Sequence, residues 1–273
     1  MDLPQTLHYA VETAKAAGAL LREGVRQQKH VQRKSSAVDL ITEYDERAES
    51  LIVERLRAAF PGHRLVTEEG TSDNSGLVDV TELTWYVDPL DGTNNFVHGF
   101  PFFAVSLALY EGERPLLGII YDPLRNECFR ATRGGGAYLD TGGGPLLRLG
   151  VSQETRLLDS LLATGFPYDR HTNDTNLAEA AAFLKRSGGV RRAGAAALDL
   201  AYVAAGRLDG YWEFRLHSWD VAAGALLVTE AGGQVTNMSG QPLTLTHEVS
   251  LIASNGRIHP AILDVIEEVA GSR

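Results

Sequence analysis

Apolar residues recur at Leu7, Val11, Ala14, Gly18, Leu21 and Val25, in steps of three or four with charges between them. That spacing predicts an amphipathic surface helix over residues 5–28. A second face, formed by Ala48, Leu51, Ile52 and Leu56, predicts a helix from Glu43 to Phe60, stopped by Pro61-Gly62. Between Thr84 and Leu149 the period changes. Runs such as FFAVSLALY, PLLGIIYDP, ECFRATR, AYLD and PLLRLG, each bounded by Gly, Pro or Asp, predict successive strands. The glycine triplets at 134–136 and 142–144 continue neither as GxGxxG nor as GK[ST], and they read as hairpin turns. The second half alternates. A strand SLLATGF leads to an Ala-rich helix (Asn176–Lys185), a helix near Ala196–Gly206, a strand Gly210–Phe214 and a helix Ser218–Glu230. A strand LIAS and a closing helix near Pro260–Val269 follow. No low-complexity linker divides the halves, so residues 1–273 read as one α+β unit with sub-halves of approximately 1–150 and 151–273.

Composition narrows the function classes. Hydrophobic residues make up 44% of the chain, enough for a substantial core. A net charge of −10 argues against nucleic acid as the primary ligand, since a phosphate backbone needs a basic face. The lone Cys128 forms no internal disulfide and fits a reducing cytoplasm. Charges interrupt the N-terminal helix, which therefore reads as a surface element and not as a signal peptide. The longest apolar stretch, near Phe102–Tyr110, is too short to span a bilayer as a helix. A cytoplasmic protein is the expectation.

The densest chemistry lies in residues 85–101, WYVDPLDGTNNFVHGFP. A strand-like approach, Trp85-Tyr86-Val87, delivers the Asp88 carboxylate. Pro89 is expected to end the pairing, and Asp91 follows on a turn with Gly92 and Thr93. Two anionic oxygen ligands beside a hydroxyl and turn amides suit a hard divalent cation and a phosphate. The chain carries its own control: Asp122-Pro123-Leu124-Arg125 repeats the first three letters with Arg in the second carboxylate's place, and reads as a hairpin connection. His98 and His217 fall in no HxH, HExxH or Cys/His spacing, which excludes a transition-metal motif.

This run resembles the first aspartate signature of the inositol monophosphatase family. Trp219-Asp220-Val221-Ala222-Ala223-Gly224, followed by Thr229-Glu230-Ala231-Gly232-Gly233, is similar to that family's second signature. Lys34-Ser35-Ser36 with Asp39-Leu40-Ile41-Thr42 and Asp45 resembles its first block, and Glu68-Glu69 its glutamate block, with Thr67 where the family usually has Gly. The resemblance implies a layered αβαβα sandwich with the active site between the halves. It also implies a lithium-sensitive, Mg²⁺-dependent phosphatase with two to three ions per site, acting as a homodimer. By the same resemblance, Glu68, Asp88 and the Leu90 carbonyl hold a first ion, while Asp88, Asp91 and Asp220 hold a second. A third, largely water-coordinated ion sits near Glu68. Asp45 and Thr93 hold and activate the attacking water, the Gly92 and Thr93 amides hold phosphate oxygens, and Lys34 is an outlying charge. Physically, clustering these carboxylates without cations forces some to protonate, and two divalent ions balance four ionised carboxylates.

The resemblance further implies that Asp91, Gly92, Thr93, Ala196, Glu213 and Asp220 lie on the substrate side. In the family the glutamate matching Glu213 faces the hydroxyls of the inositol ring. A carboxylate there repels a second phosphate, which favours myo-inositol monophosphate. Ala195 stands where a hydroxyl residue is common, so one polar contact is missing. The alternative within the class is fructose 1,6-bisphosphate, NADP or a nucleoside bisphosphate, with Arg170, Arg191 and Arg192 serving a second phosphate. The alternative of another class is a non-catalytic regulatory protein on the same fold, although such a chain has no reason to keep every ligand together with Thr93 and Asp45.

Overall fold

The computed structural model describes residues 2–34, 36, 39–70, 82–169 and 172–271; Ser35 of the first block and Arg170 lie outside the described residues. The chain opens with α1 (Leu3–Gly24), where Asp2 caps the first turn by accepting from Gln5 N at 3.2 Å. It stops short of residue 28, because Gln27 N donates back to Gly24 O at 2.9 Å. There the chain turns into an antiparallel ribbon of β1 (Val31–Arg33) and β2 (Leu40–Thr42). Three-residue strands are too short to show a period, and the sequence pattern gave no sign of them. α2 (Glu43–Ala59) follows.

Seven strands form the larger sheet in chain order: β3 (Arg64–Thr67), β4 (Leu83–Asp91), β5 (Ala104–Glu111), β6 (Arg114–Asp122), β7 (Glu127–Thr132), β8 (Gly136–Asp140) and β9 (Leu147–Arg148). β3 is parallel to β4, and the later neighbours are antiparallel, as short turns require. Both glycine triplets fall at such turns, and the Asp122–Arg125 copy connects β6 to β7 as expected. A short α3 (Thr93–His98) follows β4.

The smaller sheet has the order β11-β10-β12-β14-β13. Its strands are β10 (Leu161–Thr164), β11 (Gly189–Arg191), β12 (Gly210–His217), β13 (Gln234–Thr236) and β14 (Glu248–Ser254), interleaved with α4 (Leu177–Arg186), α5 (Ala196–Ala204), α6 (Ser218–Glu230) and α7 (His259–Gly271).

Three apolar interfaces define five layers. α1 and α2 bury Leu21, Ile52 and Leu56 against Trp85, Leu107 and Ile119 of the larger sheet. The opposite face of that sheet and the inner face of the smaller one close on α5 and α6, with Tyr86, Phe129, Leu200, Leu227 and Leu251 together. α4 and α7 cover the outer face, where Phe183 and Ile262 meet Leu162, Trp212 and Ile252. The result is the αβαβα sandwich of the α+β class. Lying between two sheets, α6 is buried almost all round, which explains its lack of a polar stripe.

Two irregularities aim this scaffold at one place. Pro89 does not end the β4 pairing. Asp88 pairs with Ser106 and Asp91 with Ala104, so three steps on β4 face two on β5. The strand absorbs the proline as a bulge, which tolerates its missing N–H and turns both carboxylates toward the sheet's end. β12 likewise runs past Phe214 to His217, with a register shift between Glu213 and Leu216. Arg215 takes a left-handed φ of 59° within it.

Candidate active site

The ends of β4 and β12 and the N-termini of α3, α5 and α6 surround one open cleft. Glu68, Asp88, Leu90, Asp91, Gly92, Thr93, Ala196, Glu213 and Asp220 all line it. Each carboxylate is held by one oxygen. Asp88 Oδ1 accepts from Leu90 N at 2.9 Å, Asp91 Oδ2 from Ala197 N at 2.7 Å, and Asp220 Oδ2 from His217 N at 2.7 Å. Glu68 Oε1 accepts from Lys34 Nζ at 2.8 Å, and the same ammonium reaches Glu69 Oε1 at 2.6 Å. The second motif copy makes the contrast. Asp122 Oδ1 also accepts from its i+2 amide, Leu124 N, at 2.9 Å, but Arg125 Nη1 occupies its Oδ2 at 2.7 Å. That copy neutralises itself; the cleft copy does not.

Burial, followed by the charges of Glu68, Asp91 and Asp220, pushes Asp88 well above the ordinary carboxylate range. Burial and Asp220 do the same to Asp91. Burial and Glu68 raise Asp220 to about 7, and they raise Glu69 to about 8 against the pull of Lys34. Burial alone would lower Lys34, but Glu68 and Glu69 outweigh it and hold the ammonium above the usual lysine range. The carboxylate wall is therefore electrostatically frustrated by its own charges, as a site built for cations should be.

The donor set suits a hard divalent ion. All four side chains are oxygen donors, and among the described residues no hydrogen bond engages their other oxygens. Among the described residues no three His, Cys, Asp or Glu side chains close tightly enough to cage a metal unaided. Mg²⁺ completes its octahedron with several waters and substrate oxygens, so a looser set of carboxylates can still hold it.

Behind this wall, Asp45 is fully buried at 0% exposure. It is the N3 residue of α2 in a capping box: Oδ2 accepts from Thr42 N at 2.8 Å and Thr42 Oγ1 at 2.6 Å. Its other oxygen, Oδ1, accepts from Thr93 Oγ1 at 2.9 Å. Burial raises its pKa to about 6, opposed by the Thr42 bonds and helped by the charge of Glu68. Read in isolation, an Asp in a helix rich in Glu and Arg is a solvated face residue; the capping box and the fold place it inside.

The opposite wall carries Glu213. Its Oε2 accepts from the Tyr211 hydroxyl at 2.5 Å. Burial lifts its pKa to about 7, with the Tyr211 bond and Arg192 opposing and Asp220 adding.

A family model described as the inositol monophosphatase family matches residues 2–270. The chain belongs to the inositol monophosphatase family. It is 41% identical over 263 residues to inositol monophosphatase 2 of Solanum lycopersicum, covering 95% of this chain and 97% of that protein. It is 42% identical over 267 residues to the Nus factor SuhB of Pseudomonas aeruginosa, covering 96% and 95%. The solved inositol monophosphatase of Anabaena (Nostoc) sp. PCC 7120 superposes with a TM-score of 0.85 at 37% identity, covering 98% of this chain and 97% of the other. As an inositol monophosphatase family member, the chain is a phosphoric monoester hydrolase of a metal-dependent family and acts on a phosphorylated substrate.

Within this family frame, the structure brings the carboxylates, Thr93, Ala196 and Glu213 to one cleft. Asp45 stands behind Thr93, and Lys34 touches the cleft through Glu68. Arg192 lines the cleft, whereas Arg191 does not and is exposed on edge strand β11; His98 is also exposed and away from it. Several lining residues were missed from sequence: Gly165, Tyr168 and Arg215; Trp219 stood in the second signature without a role, and His217 had been set aside as a metal ligand. Tyr168 and Arg215 carried no motif, and only the return of the 165–168 turn and the β12 bulge to the cleft reveals them. Among the described residues no helix is long and apolar enough to cross a membrane.

Proposed function

We propose that this chain hydrolyses the monophosphate ester of a small polyol, with inositol 1-phosphate as the representative substrate, in a Mg²⁺-dependent reaction. The observation that carries the reading is the buried Thr93–Asp45 hydrogen bond of 2.9 Å, set directly behind four clustered carboxylates. Glu68, Asp88 and the Leu90 carbonyl would hold one ion, Asp88, Asp91 and Asp220 a second, and the surroundings of Glu68 a third. Bound there, Mg²⁺ supplies charge neutralisation of the phosphoryl oxygens, a more acidic water and stabilisation of the leaving alkoxide.

The chain's own residues do the rest. Thr93 Oγ1 accepts the proton of the attacking water as its own proton passes to Asp45 Oδ1, whose raised pKa suits a general base. Thr42 pins the other Asp45 oxygen, so the acceptor lone pair stays aimed at Thr93. The amides of Gly92 and Thr93, at the open start of α3, hold phosphate oxygens. Glu213 accepts from substrate hydroxyls and repels a second phosphate, and Ala196 presents its backbone at the start of α5. Lys34 pairs with both Glu68 and Glu69 and so offsets their repulsion where Glu68 faces the site. Family likeness supports a homodimer with lithium sensitivity, and the lone buried Cys128 is compatible with the cytoplasm.

Phosphate release from inositol 1-phosphate, fructose 1,6-bisphosphate and NADP, with Mg²⁺ and with excess EDTA, tests the reading. Inositol 1-phosphate should be turned over fastest, EDTA should abolish turnover, and lithium at tens of millimolar should inhibit. Undiminished turnover in EDTA, or a preference for a bisphosphate, sinks it. The relative named Nus factor SuhB favours a second reading, a binding role on the same fold. A hydrolytically dead Asp91→Asn chain that still restores the phenotype of a deletion strain would establish that role.

A further inference from the structure

We propose that Asn176 is a positioning residue for the substrate-facing wall: its buried side-chain amide ties the Gly165 turn to the Trp212–Glu213 strand and so fixes where the Glu213 carboxylate stands. The inference rests on the reading of Glu213 as the polyol-facing carboxylate.

Asn176 immediately precedes α4, where an Asn side chain ordinarily accepts from the helix's first amides. Here it makes no such cap. It is fully buried and holds a left-handed φ of 71°, a conformation that asparagine tolerates better than most residues other than glycine. The side chain is committed elsewhere. Nδ2 donates to Thr164 Oγ1 at 2.7 Å and to Gly165 O at 2.6 Å, and Oδ1 accepts from Trp212 Nε1 at 2.6 Å. Thr164 Oγ1 in turn donates to Trp212 O at 2.6 Å, closing the network across β10 and β12. Both amide donors and the acceptor are used, which a carboxylate or an aliphatic side chain cannot reproduce.

The two backbone points this network holds are neighbours of the cleft. Gly165 and Glu213 both line it, and they are packed against each other. A Cβ built on Gly165 would lie 2.1 Å from Glu213 Oε2 and 2.2 Å from Oε1. The carboxylate therefore occupies the space that a side chain at 165 would fill, and a small shift of the turn displaces it. Trp212 is fixed from behind by Phe183, with ring centroids 4.1 Å apart. Asn176 is thus the clamp between a rigid indole and the turn against which Glu213 rests. The left-handed backbone of Asn176 turns its side chain away from the start of α4 and into this network.

Steady-state kinetics of the full chain with Mg²⁺, on inositol 1-phosphate and on p-nitrophenyl phosphate, provide the test. Asn176→Gly deletes the amide while glycine keeps the left-handed backbone without strain. The ratio of KM for inositol 1-phosphate to KM for p-nitrophenyl phosphate should rise about three- to tenfold, the scale of one or two lost hydrogen bonds. In a Glu213→Gln background the same substitution should leave that ratio unmoved, because residues acting through one another are not additive. Trp212→Phe, which removes the indole donor together with part of the buried ring, should shift the ratio in the same direction, and it serves if the glycine variant does not fold. Equal KM changes for the two substrates, or a full Asn176→Gly effect in the Glu213→Gln background, overturn the proposal alone. If Glu213→Gln by itself leaves KM for inositol 1-phosphate unchanged, the polyol-facing reading of Glu213 falls and takes this inference with it.

Discussion

Replacing Glu213 by Gln separates two consequences of one buried carboxylate. Burial raises its pKa from an ordinary 4.5 to about 7. For an acid raised in the folded state, the native protein holds a proton that the unfolded chain has released. Stability is therefore greatest below about pH 4.5 and declines as pH rises to about 7. At roughly 1.4 kcal/mol per pKa step, ionising Glu213 inside the fold costs on the order of 3 kcal/mol. Gln keeps an acceptor for the Tyr211 hydroxyl and never ionises. In EDTA, Glu213→Gln should match wild type in urea unfolding near pH 4.5 and exceed it by about 2–3 kcal/mol at pH 8. Function should move the other way. Loss of a charge-assisted hydrogen bond to a substrate hydroxyl weakens binding by about 1–2 kcal/mol, roughly a 5- to 30-fold rise in KM with kcat little changed. Hydrolysis of fructose 1,6-bisphosphate should improve, since a charge near its second phosphate has gone. Parallel stability profiles for the two proteins across this pH range would refute the burial argument. A stability gain without a change in KM would show a buried carboxylate that faces no substrate.

Asp91→Asn should cut kcat about a thousandfold or more, because the lost charge lies where developing phosphoryl charge is stabilised. Its metal-free form should be no less stable than wild type, since relief of repulsion from Asp220 offsets any lost bond to Ala197 N; normal activity per folded molecule would make Asp91 structural. Asp45→Asn should lower kcat about 10²- to 10⁴-fold with KM nearly unchanged. In wild type, kcat should rise with pH through about 6, because the base acts only when deprotonated; an identical acid limb in Asp45→Asn, measured on its residual activity, would assign that limb to another group.

The sequence alone determined the elements that carry their own period or motif. α1, α2 and the meander from β5 to β8 follow from apolar spacing and turn residues, because side-chain direction along a helix or strand is a local property. The four carboxylates, Thr93 and the self-cancelling Asp122–Arg125 copy were also legible, because their chemistry sits in contiguous motifs. Only the tertiary structure decided the rest. Pro89 was read as a strand end, and the long-range pairing with β5 turned it into a bulge that aims Asp88 and Asp91 together. Asp45 read in isolation as a solvated helix acid, and burial under Thr93, 48 residues distant, gave it a raised pKa and a partner. Asn176 read only as the start of a helix, and Gly165 only as part of a strand, with nothing to tie either to the cleft. Their meaning comes from Trp212 and Glu213, which a parallel β10–β12 pairing brings alongside. Pairing across so many residues is fixed by burial and hydrogen-bond satisfaction in the assembled layers, and neither quantity exists until the layers have closed.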